Sequence, residues 1–231
     1  MRKYFSGIML LLAFSFLAAC DVVSDSKSEQ TEALEVGEII LFGAVHWRVL
    51  AIYDDETALI VSENIIASMP YYHTAFSDIA WENSDVRMHL NSMFLDTFSY
   101  EERSRILPKF VHTPDNWRYM VRGGEDTTDY LFLLSIEEVA MYFCGGEIWS
   151  PSPPGQPTHL SKWLIDDKYN STRTALDETG AAASWWLRSP GFDIDFTAIV
   201  SYDGIVHIDG AGVNINKGIR PALLLDISDD A

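Results

Sequence analysis

From Val36 onward the chain reads as short apolar blocks, most too brief for a helix, broken by turn residues. Val36–Phe42, Trp47–Tyr53 and Thr57–Ser62 carry β-branched and aromatic bulk, so three strands are expected, with turns at Gly43 and at Asp54-Asp55-Glu56. Helical spacing appears next. Val86, Leu90, Phe94 and Phe98 recur every fourth position behind a Ser84 or Asp85 cap and form one apolar stripe. Ser99 with Glu102, and Ser135 with Glu138, have the capping-box spacing, so a helix is expected after each. Pro108 ends the first, and Gly145-Gly146 stops the second. Tyr130–Leu134 reads as a strand, and residues 109–129 as polar and turn-rich. Residues 147–157 are Pro-rich and irregular, Thr158 to Asp166 is expected to be helical, and 167–183 a polar loop.

The C-terminal quarter returns to strands. Trp185–Ser189 has strand composition and stops at Pro190-Gly191. Thr197–Tyr202 and Ile205–Ile208 flank Asp203-Gly204, a strong hairpin signal. Asp209–Gly212 reads as a second turn, Val213–Ile215 as a short strand and Asn216–Gly218 as a third turn. Ile219–Ile227 is the last strand, and Ala222–Leu225 is apolar on both faces, as in a strand covered on both sides. The whole predicts an α+β fold: one domain, residues 35–228, with short antiparallel sheets and two to four helices.

The first 34 residues do not join this pattern. Arg2-Lys3, an apolar run from Ile8 to Leu17, and Leu17-Ala18-Ala19-Cys20 read as a signal peptide over residues 1–19. The apolar run is shorter than the roughly 20 residues a spanning helix needs. Small residues before Cys20 resemble the bacterial lipobox, which implies diacylglyceryl transfer to the Cys20 sulfur, cleavage after Ala19 and acylation of the new amine. Two or three acyl chains anchor stably, whereas one does not. Residues 20–34 then form a polar, disordered tether. The expected address is the outer face of a bacterial cell membrane. With Cys20 lipidated, Cys144 stands alone and no intrachain disulfide is possible.

Charge narrows the partners. The 231 residues hold 34 acidic against 16 basic side chains, a net charge of −18. Such a surface repels nucleic-acid phosphates and anionic lipid headgroups, so nucleic acid is excluded as a partner.

A paired aromatic with Leu187-Arg188-Ser189-Pro190-Gly191, then Asp203-Gly204, then Gly218-Ile219-Arg220-Pro221-Ala222 resembles an uncharacterised bacterial family, a domain of unknown function (DUF6273-like). Gly43–Leu50, Trp81–Arg87 and Leu131–Val139 match it as well. Its ending is similar to C-type-lectin-like and formylglycine-generating-enzyme-like domains, including display proteins of diversity-generating retroelements. The resemblance implies a C-type-lectin-like fold with a ligand face near residues 192–217. Enzymes on this scaffold hold copper with two cysteines, and only Cys144 is available here.

Candidate chemistry is sparse. His46, His73, His89, His112, His159 and His207 are scattered without metal-ligand spacing. Gln156-Pro157-Thr158 and Trp81-Glu82-Asn83 depart from the lectin calcium triplets. Asp193, Asp195, Asp203 and Asp209 offer hard oxygens for calcium, but Asp is equally what turns require, and no metal or other cofactor is predicted. Glu101-Glu102 and Glu137-Glu138 sit where helix N-termini favour carboxylates.

Trp186 and Arg188 share a strand face and read either as an aromatic and guanidinium platform or as packing around buried carboxylates. The candidate ligand residues are Trp186, Arg188, Asp193, Asp195, Tyr202, His207 and Asn214. The expected function is a non-enzymatic, lipid-anchored binding module for a protein or glycan; the alternative is an envelope enzyme on the formylglycine-generating-enzyme scaffold.

Overall fold

A computed structural model describes residues 34–143 and 164–228. The signal peptide, Cys20 and nearly all of the tether lie outside them, as do Cys144, His159, the Pro-rich segment 147–157 with its Gln156 triplet, and the Thr158 cap. The three N-terminal strands form where the β-branched and aromatic bulk places them: β1 (Ile39–Phe42), β2 (Val45–Tyr53) and β3 (Thr57–Ser62) pair antiparallel in chain order. β4 (Ala67–Pro70) follows.

The Ser84 hydroxyl accepts from the Arg87 N–H and caps α1 (Asp85–His89), which widens into one π turn and closes with a 3₁₀ turn. Val86, Leu90 and Phe98 of the predicted stripe are buried. Both capping boxes are present, reciprocal in each case, at α2 (Tyr100–Arg105) and α3 (Ile136–Tyr142). Glu102 and Glu138 are thereby engaged at their caps.

Between these helices lie β5 (Ile106–Leu107), β6 (Lys109–Val111), β7 (Thr127–Asp129) and β8 (Leu131–Phe132). β6 and β7 form a ribbon inside the stretch read as turns, because partners 16 to 20 residues apart, Lys109 opposite Asp129 at one end, supply the pairing. β9 (Leu164–Ile165) is a strand where a helix running to Asp166 was expected; pairing with the C-terminal sheet overrides local propensity. The predicted loop 167–183 holds α4 (Asn170–Arg173) and the hairpin β10 (Ala175–Leu176) and β11 (Ala182–Ala183).

The C-terminal strands are β12 (Trp185–Pro190), β13 (Phe196–Val200), β14 (Val206–Gly212), β15 (Asn216–Ile219) and β16 (Ala222–Asp226). Four expectations fail here. Asp209–Gly212 is not a turn but the end of β14, with Ala211 opposite Thr197 and Gly212 opposite Phe196. Gly210 absorbs the irregularity at φ +76, close to the Thr197 carbonyl, so the glycine marks a bulge within a strand. Val213–Ile215 is the connecting turn, and Asn216–Gly218 belongs to β15. The predicted last strand is two strands, interrupted at Arg220-Pro221.

That interruption builds the architecture. One sheet runs β1-β2-β3-β16, with β5 and β8 both pairing β16; the other runs β4-β15-β12-β13-β14-β9. β3 continues into β4, and β15 into β16, so two neighbouring segments cross together from sheet to sheet. Arg220 sits at the crossing, 1% exposed. Its guanidinium donates to the Ser62 and Arg173 carbonyls and lies 5.1 Å from the Phe143 and Trp185 rings. Burial pushes it down to about 10, Glu63 opposing, and it stays charged at neutral pH. The fold is α+β, with four α-helices among the described residues. Trp47, Trp81, Trp185, Trp186, Tyr71 and Phe132 fill its core. Each such side chain contributes about 2–3 kcal/mol of burial.

Candidate functional site

The residues expected to face a ligand divide into three places. Trp186 and Arg188 are inside: all six residues of β12 are buried, and Trp186 is 0% and Arg188 4% exposed. The Trp186 indole N–H donates to the Met69 carbonyl (3.0 Å), and its ring meets Tyr71 edge-on at 5.7 Å. Arg188 donates to the Leu133 carbonyl (2.7 Å) and the His112 carbonyl (2.8 Å) and pairs with Glu138. No platform is available, because a strand in the middle of this sheet is covered on both faces. The competing reading, packing around a buried carboxylate, describes both residues.

Tyr202 is exposed in the β13–β14 turn, the end of the hairpin where Val200 faces Val206. His207 lies opposite Ile199, half-buried, 3.8 Å from Asp209. Asp203 accepts a hydrogen bond from the Ser201 hydroxyl, which holds its carboxyl below the usual range.

Asp193, Asp195 and Asn214 belong together at the other end, where Phe196 faces Gly212 and Asn216 faces Pro70. Three connections leave the sheet there: residues 71–80, 191–195 and 213–215. Backbone bonds tie them: Tyr72 N–H to the Val213 carbonyl (3.0 Å), Val213 N–H to the Asp195 carbonyl (3.0 Å), and Ile79 N–H to the Ile194 carbonyl (3.2 Å).

A fourth loop, residues 114–124, is pinned to the same end by one side chain. Asn116 is buried, and its amide nitrogen donates to the carbonyls of Pro190 (2.8 Å), Gly191 (3.1 Å) and Ile208 (3.0 Å). Its backbone carbonyl accepts from the Met120 N–H (2.7 Å), closing a turn that presents Tyr119 and Met120. Tyr119 meets Phe192 edge-on at 6.2 Å, and Phe192 lies 4.2 Å from Phe196.

The tips of these loops are apolar and exposed: Phe76, Met120, Phe192, Ile194 and Ile215. Phe76 is 91% and Met120 87% exposed. Both hold a left-handed backbone, at φ 55° and 58°. That conformation costs an L-residue about 1–2 kcal/mol, and neither side chain gains burial in return. Asp78, Asp115, Asp193 and Asp195 lie on the same loops with Arg118 and Arg122, so the surround of the apolar tips is acidic only on balance, four Asp against two Arg.

Sequence reasoning reached residues 192–217 but missed Phe76 and Met120. Neither stands out in the sequence, because Phe76 lies among Tyr71, Tyr72 and Ile79, and Met120 among Trp117, Tyr119 and Val121.

Other polar pairs are local. His73 bonds Asp85 (2.7 Å) and His112 bonds Asp126 (2.6 Å), both at the surface. Among the described residues no three His, Cys, Asp or Glu side chains stand close enough to share a metal ion. No helix among them is long and apolar enough to cross a membrane.

A family model matches residues 55–227, from the β2–β3 turn to just beyond β16; its description is Domain of unknown function (DUF6273). No curated protein and no solved structure matches the chain.

Proposed function

The chain belongs to the DUF6273 family, a domain of unknown function, and from the geometry of its loops we propose that it is a binding module whose ligand docks on the loop end of the six-stranded C-terminal sheet. The observation that carries this is the pair Phe76 and Met120. Two large apolar side chains are held out in water on a backbone that opposes them, and strain of this kind persists where a surface must present a group. The aliphatic weight of the patch favours a protein over a glycan. The acidic surround selects a ligand with a basic rim. The lipobox at Cys20 supplies the setting: a domain held by acyl chains on the outer face of a bacterial membrane and presented through a short polar tether. A C-type-lectin-like arrangement is part of the same proposal, since in that fold too the ligand is met by loops at one end of a sheet.

Capture from an envelope fraction tests it, with the full chain in detergent as bait and three variants. Phe76→Gly and Met120→Gly should each abolish the capture seen with the parent, while Tyr202→Ser, at the opposite end of the hairpin, should retain it. The two glycine variants should be as stable as the parent or gain up to about 1 kcal/mol, because the backbone strain is relieved. Capture that is the same for all four proteins would rule the loop end out.

A further inference from the structure

A cleft of about 530 Å³ lies between the β10–β11 hairpin on one side and β4 with β15 on the other, lined by none of the five apolar tip residues. Its floor is aliphatic. Ile65 packs onto β15 so closely that a Cβ at Gly218 would stand 2.5 Å from it. Glu178, on the hairpin, and Lys217, on β15, line it from different walls. They do not pair with each other, and neither has an ion-pair partner among the described residues.

Ser68, Ser184 and Asn216 also line the cleft and add two hydroxyls and an amide without a hydrogen-bond partner among the described residues. Asp177 is engaged instead: it accepts from the Thr179 hydroxyl (2.6 Å) and the Ala181 N–H (3.1 Å) and shapes the turn. No aromatic ring lines the cleft, so nothing offers a sugar ring a face to stack on.

We infer that this cleft binds a short zwitterionic peptide, its ammonium at Glu178, its carboxylate at Lys217, and its peptide groups bonded by Ser68, Ser184 and Asn216. The volume is that of a small-ligand site. An extended peptide advances about 3.4 Å per residue, so a tripeptide is about 10 Å long. Opposite charges on separate walls read both ends of such a ligand at once, and the neutral donors that line the same cleft match its amides.

Calorimetry on the full chain in detergent, with trialanine as probe, tests the inference. Trialanine should bind with a Kd between about 10 µM and 1 mM. N-acetyl-trialanine and trialanine amide should each bind at least about tenfold more weakly. Glu178→Gln should cost the same factor toward trialanine and nothing further toward the acetylated peptide. Lys217→Gln should show the same non-additivity with the amide. Glu178 is exposed on a turn, so its substitution leaves folding intact and carries the test even if the half-buried Lys217 proves sensitive. Absence of binding at about 10 mM, equal affinity for the blocked peptides, or additive losses each overturn the assignment. Phe76→Gly should leave trialanine binding unchanged, which separates this site from the loop surface.

Discussion

Single side chains decide how this surface is held. Asn116 joins a loop to three carbonyls of the C-terminal sheet, which lie 74 to 92 residues away along the chain. Asn116→Ala leaves those buried carbonyls without donors, and such groups are costly to leave unpaired. It should lower unfolding free energy by about 3 kcal/mol in urea titration and release the Tyr119–Met120 tip, seen as faster amide exchange there. A loss below about 0.5 kcal/mol would mean that water replaces the side chain. Arg188 is comparable. Arg188→Met removes the ion-pair partner of Glu138, leaving that carboxylate its capping bond from the Ser135 N–H, takes a donor from two carbonyls, and should cost about 3 kcal/mol. The Leu-Arg-Ser-Pro motif is thus a core element, and the proposed binding surface draws on residues with no motif at all.

At the scale of elements, caps and turns make the domain sensitive to acid. Hydrogen bonds from Ser99 hold Glu102 low at the start of α2, and those from Thr179 hold Asp177 low in the β10–β11 turn. The Ser201 hydroxyl does the same for Asp203 and the Ser228 N–H for Asp226. A carboxyl whose folded value is depressed contributes stability in full above its unfolded value, near 4, and loses it as pH falls through the folded value. Half-buried His89 is pushed down by desolvation, so protonating it also opposes folding, beginning below its ordinary value near 6.5. The thermal midpoint should therefore decline gently below about pH 6.5 and steeply below about pH 4. Glu102→Gln and Thr179→Val should each flatten the steep limb, and an unchanged limb would show that these contacts do not set it. The elements themselves were unevenly legible. The helix caps follow from residues three apart, so α1, α2 and α3 begin where their spacing says. β6, β7 and β9 have partners elsewhere in the chain, and nothing local marks them.

For the whole molecule, address and charge govern what it can meet. A Cys20→Ala full chain should appear in the soluble fraction or persist as an unprocessed precursor. One that fractionates and migrates like the parent would remove the lipid anchor from the proposal. With a net charge of −18, capture of a basic-rimmed ligand should weaken as salt rises, because screening shortens the reach of the acidic surround to about 8 Å at physiological ionic strength.

What the amino-acid sequence determined alone is whatever depends on near neighbours: the β-branched and aromatic runs of the first sheet, the apolar stripe that begins in α1, two capping boxes, the Asp203-Gly204 turn and the acidic balance. Tertiary structure alone decided that Trp186 and Arg188 are interior, that Asp209–Gly212 is strand, and that Phe76, Met120 and Phe192 lie on loops at one end. Periodicity shows which residues share a face of an element. Whether that face is covered, and by what, depends on partners far along the chain, and only folding brings those together.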